Sequence, residues 1–130
     1  MEHENLTRLT IGLAMKVHST LGSGFLESVY QNALAYELRE AGVEVACEQK
    51  IEVFYRGVEV GHFVADMLIE NCVIVENKAV QALVVTHEVQ LVNYLTATGI
   101  DIGLLFNFGA SRLQYRRKNR IYRPTKTQED

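Results

Sequence analysis

A single proline, Pro124, and no glycine- or serine-rich tract leave no sign of an internal linker. No repeat with a period of about 20–50 residues is present. No apolar run approaches the roughly 18 residues needed to span a bilayer. The opening Met1-Glu2-His3-Glu4-Asn5 is polar and acidic, unlike a signal peptide. These absences lead us to expect a cytoplasmic, soluble chain with no membrane role. Cysteine is scarce: Cys47 and Cys72 are isolated and lack a CxxC partner, which suggests free thiols rather than a disulfide framework. His3, His18, His62 and His87 show no paired metal spacing such as HExxH, so structural or surface roles are expected of them. No Walker loop, Rossmann fingerprint or nucleophile elbow is present, so nothing supports nucleotide-driven or acyl-transfer chemistry.

What remains is ordinary globular material. The 130 residues are 48% apolar and 22% charged, which predicts one domain over 1–130 with a single core. The net charge of −3 does not advertise a nucleic-acid binder, but its distribution is uneven. Arg112, Arg116, Arg117, Lys118, Arg120, Arg123 and Lys126 crowd residues 112–126 with no acid among them. That leaves six basic residues against sixteen acidic ones in the rest of the chain. Such a segment can hold a phosphate backbone locally. On charge alone, a solvated tail explains it better.

Periodicity gives the elements. Leu6, Leu9, Leu13 and Val17 recur at helical spacing and predict a helix over about 4–19. After Leu21-Gly22-Ser23-Gly24, a second helix is predicted over about 26–41. Its stripe is Leu26, Val29, Tyr30, Ala33, Leu34 and Leu38, and Gly42 stops it. The period then changes to two, with Val43, Val45, Cys47, Ile51, Val53 and Tyr55 alternating with Glu44, Glu48, Lys50 and Glu52. Arg56-Gly57 leads into a second strand, about 58–69, and Glu70-Asn71 into a third, 72–80. Both are nearly continuously apolar, as strands covered on both faces are. A third helix over about 83–98 ends at Gly99. Strands follow at 101–108 and about 112–122. The predicted order is α-α-β-β-β-α-β-β, a mixed sheet of about five strands flanked by helices. Its first three strands form an antiparallel meander, and a parallel right-handed crossover follows.

Charge inside an apolar strand needs a reason, because an unpaired buried charge is costly. Asp66, Glu76 and Lys78 interrupt the two most apolar strands. Glu76 and Lys78 are two apart and share a face. A three-residue turn centred on Asn71 would set Asp66 opposite Glu76, with Cβ atoms about 4.5–5.5 Å apart. A two-residue turn would set Val75 there instead. Two carboxylates that close repel, and a divalent cation such as Mg²⁺ removes the conflict. On spacing alone, a buried salt bridge of Lys78 with Asp66 or Glu76 accounts for the three residues equally well. Glu27 lies at the edge of the second helix's buried stripe, where it is either a further carboxylate or a solvated acid favoured by the helix dipole. Thr86, Gln90 and Asn93 make a narrow polar stripe on the third helix, and in isolation read as an edge facing water.

Gly24-Phe25-Leu26-Glu27-Ser28-Val29-Tyr30 is similar to the signature of the GxxExxY family, which is grouped with the PD-(D/E)XK nucleases. The resemblance continues through Tyr55-Arg56-Gly57, Ala65-Asp66, Val75-Glu76-Asn77-Lys78, Asn93-Tyr94-Leu95 and Gly103–Gly109, from about residue 6 to 117. It implies a restriction-endonuclease-like core and metal-dependent cleavage of nucleic acid, with DNA expected. Asp66 takes the motif's aspartate position, with Ala65 where the nominal proline would be. Glu76 and Lys78 fill the acid-x-lysine element. Glu27 corresponds to the upstream helical glutamate. Gln90-Leu91-Val92-Asn93-Tyr94 resembles a QxxxY element, which implies Gln90 at the metal site and Tyr94 orienting substrate or helix. The implied catalytic set is Asp66, Glu76, Lys78 and Gln90. The implied metal set for Mg²⁺ or Mn²⁺ is Glu27, Asp66, Glu76 and the carbonyl of Asn77. Tyr30 and Tyr94 are supporting, and Arg112, Arg116, Arg117, Lys118 and Arg120 would hold nucleic acid. So small a chain leaves specificity to a homodimer or a protein partner. The alternative is a module that binds nucleic acid or protein and keeps the fold without turnover.

Overall fold

A computed structural model describes residues 3–120. Two helices, α1 (Glu4–Leu21) and α2 (Glu27–Glu40), precede the strands β1 (Val45–Tyr55), β2 (Val58–Ile69) and β3 (Val73–Lys78). Then come α3 (Val85–Thr98), β4 (Ile102–Asn107) and β5 (Gln114–Asn119), which is the expected order. The strands form one mixed sheet in the order β1-β2-β3-β4-β5. β3 and β4 are parallel and every other neighbouring pair is antiparallel. Parallel neighbours need a long crossover, and α3 provides it.

The alternation of side chains along β3 sorts the core into two layers. Val73 and Val75 pack with Tyr30, Leu34 and Leu38 of α2 and Ala14 and Val17 of α1. Ile74, on the opposite face, packs with Leu91 and Leu95 of α3. Covered on both sides, β3 is buried up to Lys78 and β4 throughout. Gly103 in β4 lets α3 lie close, since a Cβ there would come within 2.8 Å of Leu91 Cδ1. No described helix is long and apolar enough to cross a membrane.

Two local expectations are corrected, at α2 and β2, and α1 buries more than its leucine spacing announces. Its buried residues are Thr7, Thr10, Ala14, Val17 and His18, with Leu6 and Leu13 partly buried against the same core. Thr7 and Thr10 can be buried because their hydroxyls donate to the carbonyls of Glu4 and Leu6. At α2, Leu26 lies just before the helix and is 78% exposed, which leaves Tyr30, Leu34, Ala35 and Leu38 as the buried stripe. The first half of β2 is not covered. β3 is six residues long against twelve in β2, so β1 and β2 run past it as a two-stranded arm. Phe54, Tyr55, Val58 and Val60 are exposed on that arm.

Candidate metal centre

The β2–β3 connection decides where the charges meet. Ile69 pairs with Val73, so the turn is the three residues Glu70, Asn71 and Cys72. Glu70 and Asn71 both take left-handed backbone, with φ of 52° and 56°. This register continues through Met67 opposite Val75 and sets Asp66 opposite Glu76. There the backbone ladder ends and the side chains replace it. The Asp66 N–H donates to Glu76 Oε2 at 2.8 Å, and the Asn77 N–H donates to Asp66 Oδ2 at 2.8 Å. Each carboxylate straps the other's strand. Asp66 Oδ1 and Glu76 Oε1 carry no hydrogen bond among the described residues.

Two acids held this way oppose each other's ionisation. Burial, followed by the Asp66 charge, pushes the Glu76 carboxyl up to about 8. Burial also raises Asp66, although the Asn77 N–H and the Lys78 charge pull the other way. Lys78 shares the Glu76 face of β3 and is half-buried. Among the described residues it forms no ion pair. The salt bridge that spacing alone allowed is therefore not formed, and Lys78 acts on both carboxylates only through its field.

Among the described residues, no three His, Cys, Asp or Glu side chains converge on one point. Mg²⁺ does not require such a cage. It binds through one or two carboxylates and keeps several waters. Two carboxylates, each with one oxygen unsatisfied and both held against their preferred ionisation, fit a hard divalent cation.

The other candidate residues surround this pair at different depths. Glu27 is the first residue of α2, exposed, and its charge is felt at Asp66. Tyr30, one turn later, fixes that helix start. Its ring stacks on Phe108 at 4.7 Å and 9°. Its hydroxyl donates to the Gly22 carbonyl and accepts from the Phe25 N–H. Gly24, between them, has φ of 115°, which favours glycine. Asn77 is buried, and its Nδ2 donates to Gln31 Oε1 on α2 at 3.4 Å and to Met67 Sδ. On α3, Gln90 is exposed along with Thr86 and Asn93. Tyr94 stacks on Phe63 of the arm at 3.7 Å. Burial first, then the Glu76 and Asp66 charges, raises its phenol.

The segment after Lys78 is braced from β4 and β5. Asn107 Oδ1 accepts from the Val80 and Gly109 N–H groups, and its Nδ2 donates to Gln114 Oε1. Gln114 Oε1 also accepts from the Leu83 N–H. The backbone of this segment lies so close to Gly109 that a Cβ there would be 2.5 Å from Val80 N and 2.6 Å from Ala79 C. Backbone cannot swing aside as a side chain can. Gly109→Ala is therefore expected to lower stability by about 2–3 kcal/mol, read as a drop in melting temperature of roughly 8 °C or more.

The basic residues do not gather on one surface. Arg116 and Lys118 face α3, where Glu88 lies 3.8 Å and 3.0 Å away. Arg117, between them, lines a cavity on the α1 side with Glu4, Arg8 and Tyr115. Arg120 pairs with Asp101 at 2.7 Å. Arg112 is exposed beside a cavity of about 530 Å³ lined also by Met15, His18, Ser19 and Ser111. Arg123 and Lys126 lie outside the described residues.

Sequence reasoning missed Glu48. It reads as one more wet-face residue of β1, yet it takes left-handed backbone with φ of 53° and its charge is felt at both Asp66 and Glu76. The strands exchange faces at this point. Cys47 and Met67 pack in the α1–α2 layer, whereas Ile51, Phe63 and Ala65 pack in the α3 layer. No glycine marks the break, so no sequence signal announces it.

Comparison with known proteins adds three findings. Residues 4–118 match the family model of the PD-(D/E)XK nuclease superfamily. The solved crystal structure of SSO0001 is similar, with a TM-score of 0.59 and 21% identity over 75% of this chain. The match spans 52% of that longer chain, and at this identity it speaks for the fold alone. No curated protein matches.

Proposed function

This chain belongs to the PD-(D/E)XK nuclease superfamily, and we propose that it is a metal-dependent nuclease hydrolysing phosphodiester bonds of nucleic acid, DNA first among them. The observation that carries this reading is the strapped pair Asp66–Glu76, with Lys78 on the Glu76 face and in no ion pair among the described residues. In this reading the chain is a member of the GxxExxY family, cytoplasmic, and folded as one domain.

Asp66 and Glu76 would hold Mg²⁺ or Mn²⁺, with Glu27 from α2 and the Asn77 carbonyl as further donors. A divalent ion there supplies Lewis acidity toward a phosphate oxygen and lowers the pKa of bound water. Lys78 Nζ steadies the negative charge that grows on the phosphoryl oxygens as the bond breaks. Gln90 positions substrate along the exposed edge of α3. Tyr94 and Tyr30 hold the flanking elements in place. Arg112, Arg116, Arg117, Lys118 and Arg120 draw in the phosphate backbone, the paired ones by exchanging Glu88 or Asp101 for phosphate. That pairing also supports a second reading, a binding module without turnover, in which a homodimer or a protein partner meets the site.

A titration with Mg²⁺ and Mn²⁺ separates the two. Thermal stability is followed for wild type and for the Asp66→Ala/Glu76→Ala double variant. The same samples are assayed on single-stranded, double-stranded and branched DNA and on RNA. Metal-dependent stabilisation and cleavage are both expected in wild type and absent from the double variant. Metal binding with no cleavage of any substrate would favour the binding module. No metal effect on wild type would end both the metal centre and the nuclease reading.

A further inference from the structure

Glu48 lies in line with the two carboxylates. In the β1–β2 register Cys47 faces Met67 and Gln49 faces Ala65, which leaves Glu48 at the level of Asp66. Asp66 in turn stands opposite Glu76. The three acids thus form one row across three strands. At about 4.8 Å per strand, Glu48 is one spacing from Asp66 and two from Glu76.

Among the described residues, no contact accounts for an acid at this position. Glu48 is exposed and makes no hydrogen bond or ion pair among the described residues. Its backbone is left-handed, with φ of 53°, where glycine, asparagine or aspartate is easier than glutamate. Its charge is felt at Asp66 and Glu76, which also feel Lys78, and Asp66 feels Glu27 as well. Arg39 is bonded earlier on β1, to the Val45 carbonyl and Cys47 Sγ. A third negative charge there only adds to the repulsion between Asp66 and Glu76. It becomes favourable once a cation sits between the strands.

We propose that Glu48 is a positioning residue of the metal centre, holding the divalent cation of Asp66 and Glu76 through a water of its hydration shell. This rests on the metal-dependent reading above. A hydrated grip suits the geometry, because the three carboxylates do not converge on one point, and it suits Mg²⁺, which gives up its waters reluctantly.

The test is Mn²⁺ affinity, measured by calorimetry on the full chain without nucleic acid. Glu48→Gln keeps size and backbone strain and removes the charge. It is expected to weaken Mn²⁺ binding about fivefold, the order of one charge acting on a divalent ion across one to two strand spacings in a water-like dielectric. Glu48→Asp keeps the charge and tolerates the backbone, so it should bind within about twofold of wild type. Glu48→Gly removes charge and strain together, so it should weaken Mn²⁺ binding as Glu48→Gln does while raising the metal-free melting temperature. If Glu48→Gln and Glu48→Gly bind Mn²⁺ as wild type does, Glu48 only shapes the arm and the proposal fails, with the Asp66–Glu76 centre left standing. A wild type that binds no Mn²⁺ overturns the metal-dependent reading and this proposal with it.

Discussion

Glu76→Gln is expected to raise the melting temperature of the metal-free protein at pH 8, by about 5 °C or more, while abolishing cleavage. The folded protein holds the Glu76 carboxyl near 8, whereas the unfolded chain releases it in the ordinary carboxylate range. Between about pH 4.5 and 8 the folded state therefore binds the extra proton. Stability of the metal-free protein must then fall as pH rises across that window. Asp66, also raised, pushes in the same direction. A glutamine keeps the acceptor for the Asp66 N–H and removes the charge that causes the loss. One pKa unit is worth about 1.4 kcal/mol, and a domain of this size gains roughly 4 °C per kcal/mol. The gain should shrink to a small remainder near pH 4.5 and vanish below it, where Glu76 is protonated in both states. Added Mn²⁺ should invert the ranking, since wild type gains about 2.7 kcal/mol at a hundredfold excess over Kd and the variant does not. Melting curves at pH 4.5, 6 and 8, with and without Mn²⁺, decide it. A wild type whose stability rises from pH 5 to 8 without metal would show that Asp66 and Glu76 are not in conflict.

The same residues show what the sequence makes legible. Asp66, Glu76 and Lys78 stand out because they are charges within apolar runs, and such interruptions survive any error in element boundaries. The turn through Glu70-Asn71-Cys72 left two registers open, because its length depends on left-handed backbone at two non-glycine residues. Only the folded chain selects the register that sets Asp66 opposite Glu76. Element order was readable because the helical and strand periods change sharply at Gly42 and Gly99. That α1 buries two threonines beside its apolar residues was not. Thr7 and Thr10 hide their hydroxyls on their own helix, and a hydrophobic stripe does not anticipate that. The arm was misread as covered because coverage depends on the length of the neighbouring strand, a tertiary fact. Glu48 was invisible for a related reason: its position in the row comes from pairing with β2, and its backbone from a twist that no glycine marks.

Lys78→Ala is expected to separate binding from chemistry. On the proposed function, Lys78 Nζ contributes to the transition state and not to holding metal, so the two measurements should move in opposite directions. Removing a positive charge beside Asp66 and Glu76 should tighten Mn²⁺ binding by a few-fold, because the cation no longer competes with a neighbour of like sign. Cleavage under single-turnover conditions at saturating Mn²⁺ should fall by about 100-fold to 1,000-fold, the usual cost of removing one group aimed at developing charge. Lys78→Arg should recover little, since a planar guanidinium does not present its charge where a compact ammonium does. Metal-free stability should drop modestly, as a cation whose field favours both carboxylates is lost, and Mn²⁺ should restore it. A salt bridge that served only stability would give a different pattern, with a large loss of melting temperature and no selective loss of rate. Unchanged cleavage in Lys78→Ala, with Mn²⁺ still bound, would remove Lys78 from the chemistry and leave Asp66 and Glu76 to explain the activity alone.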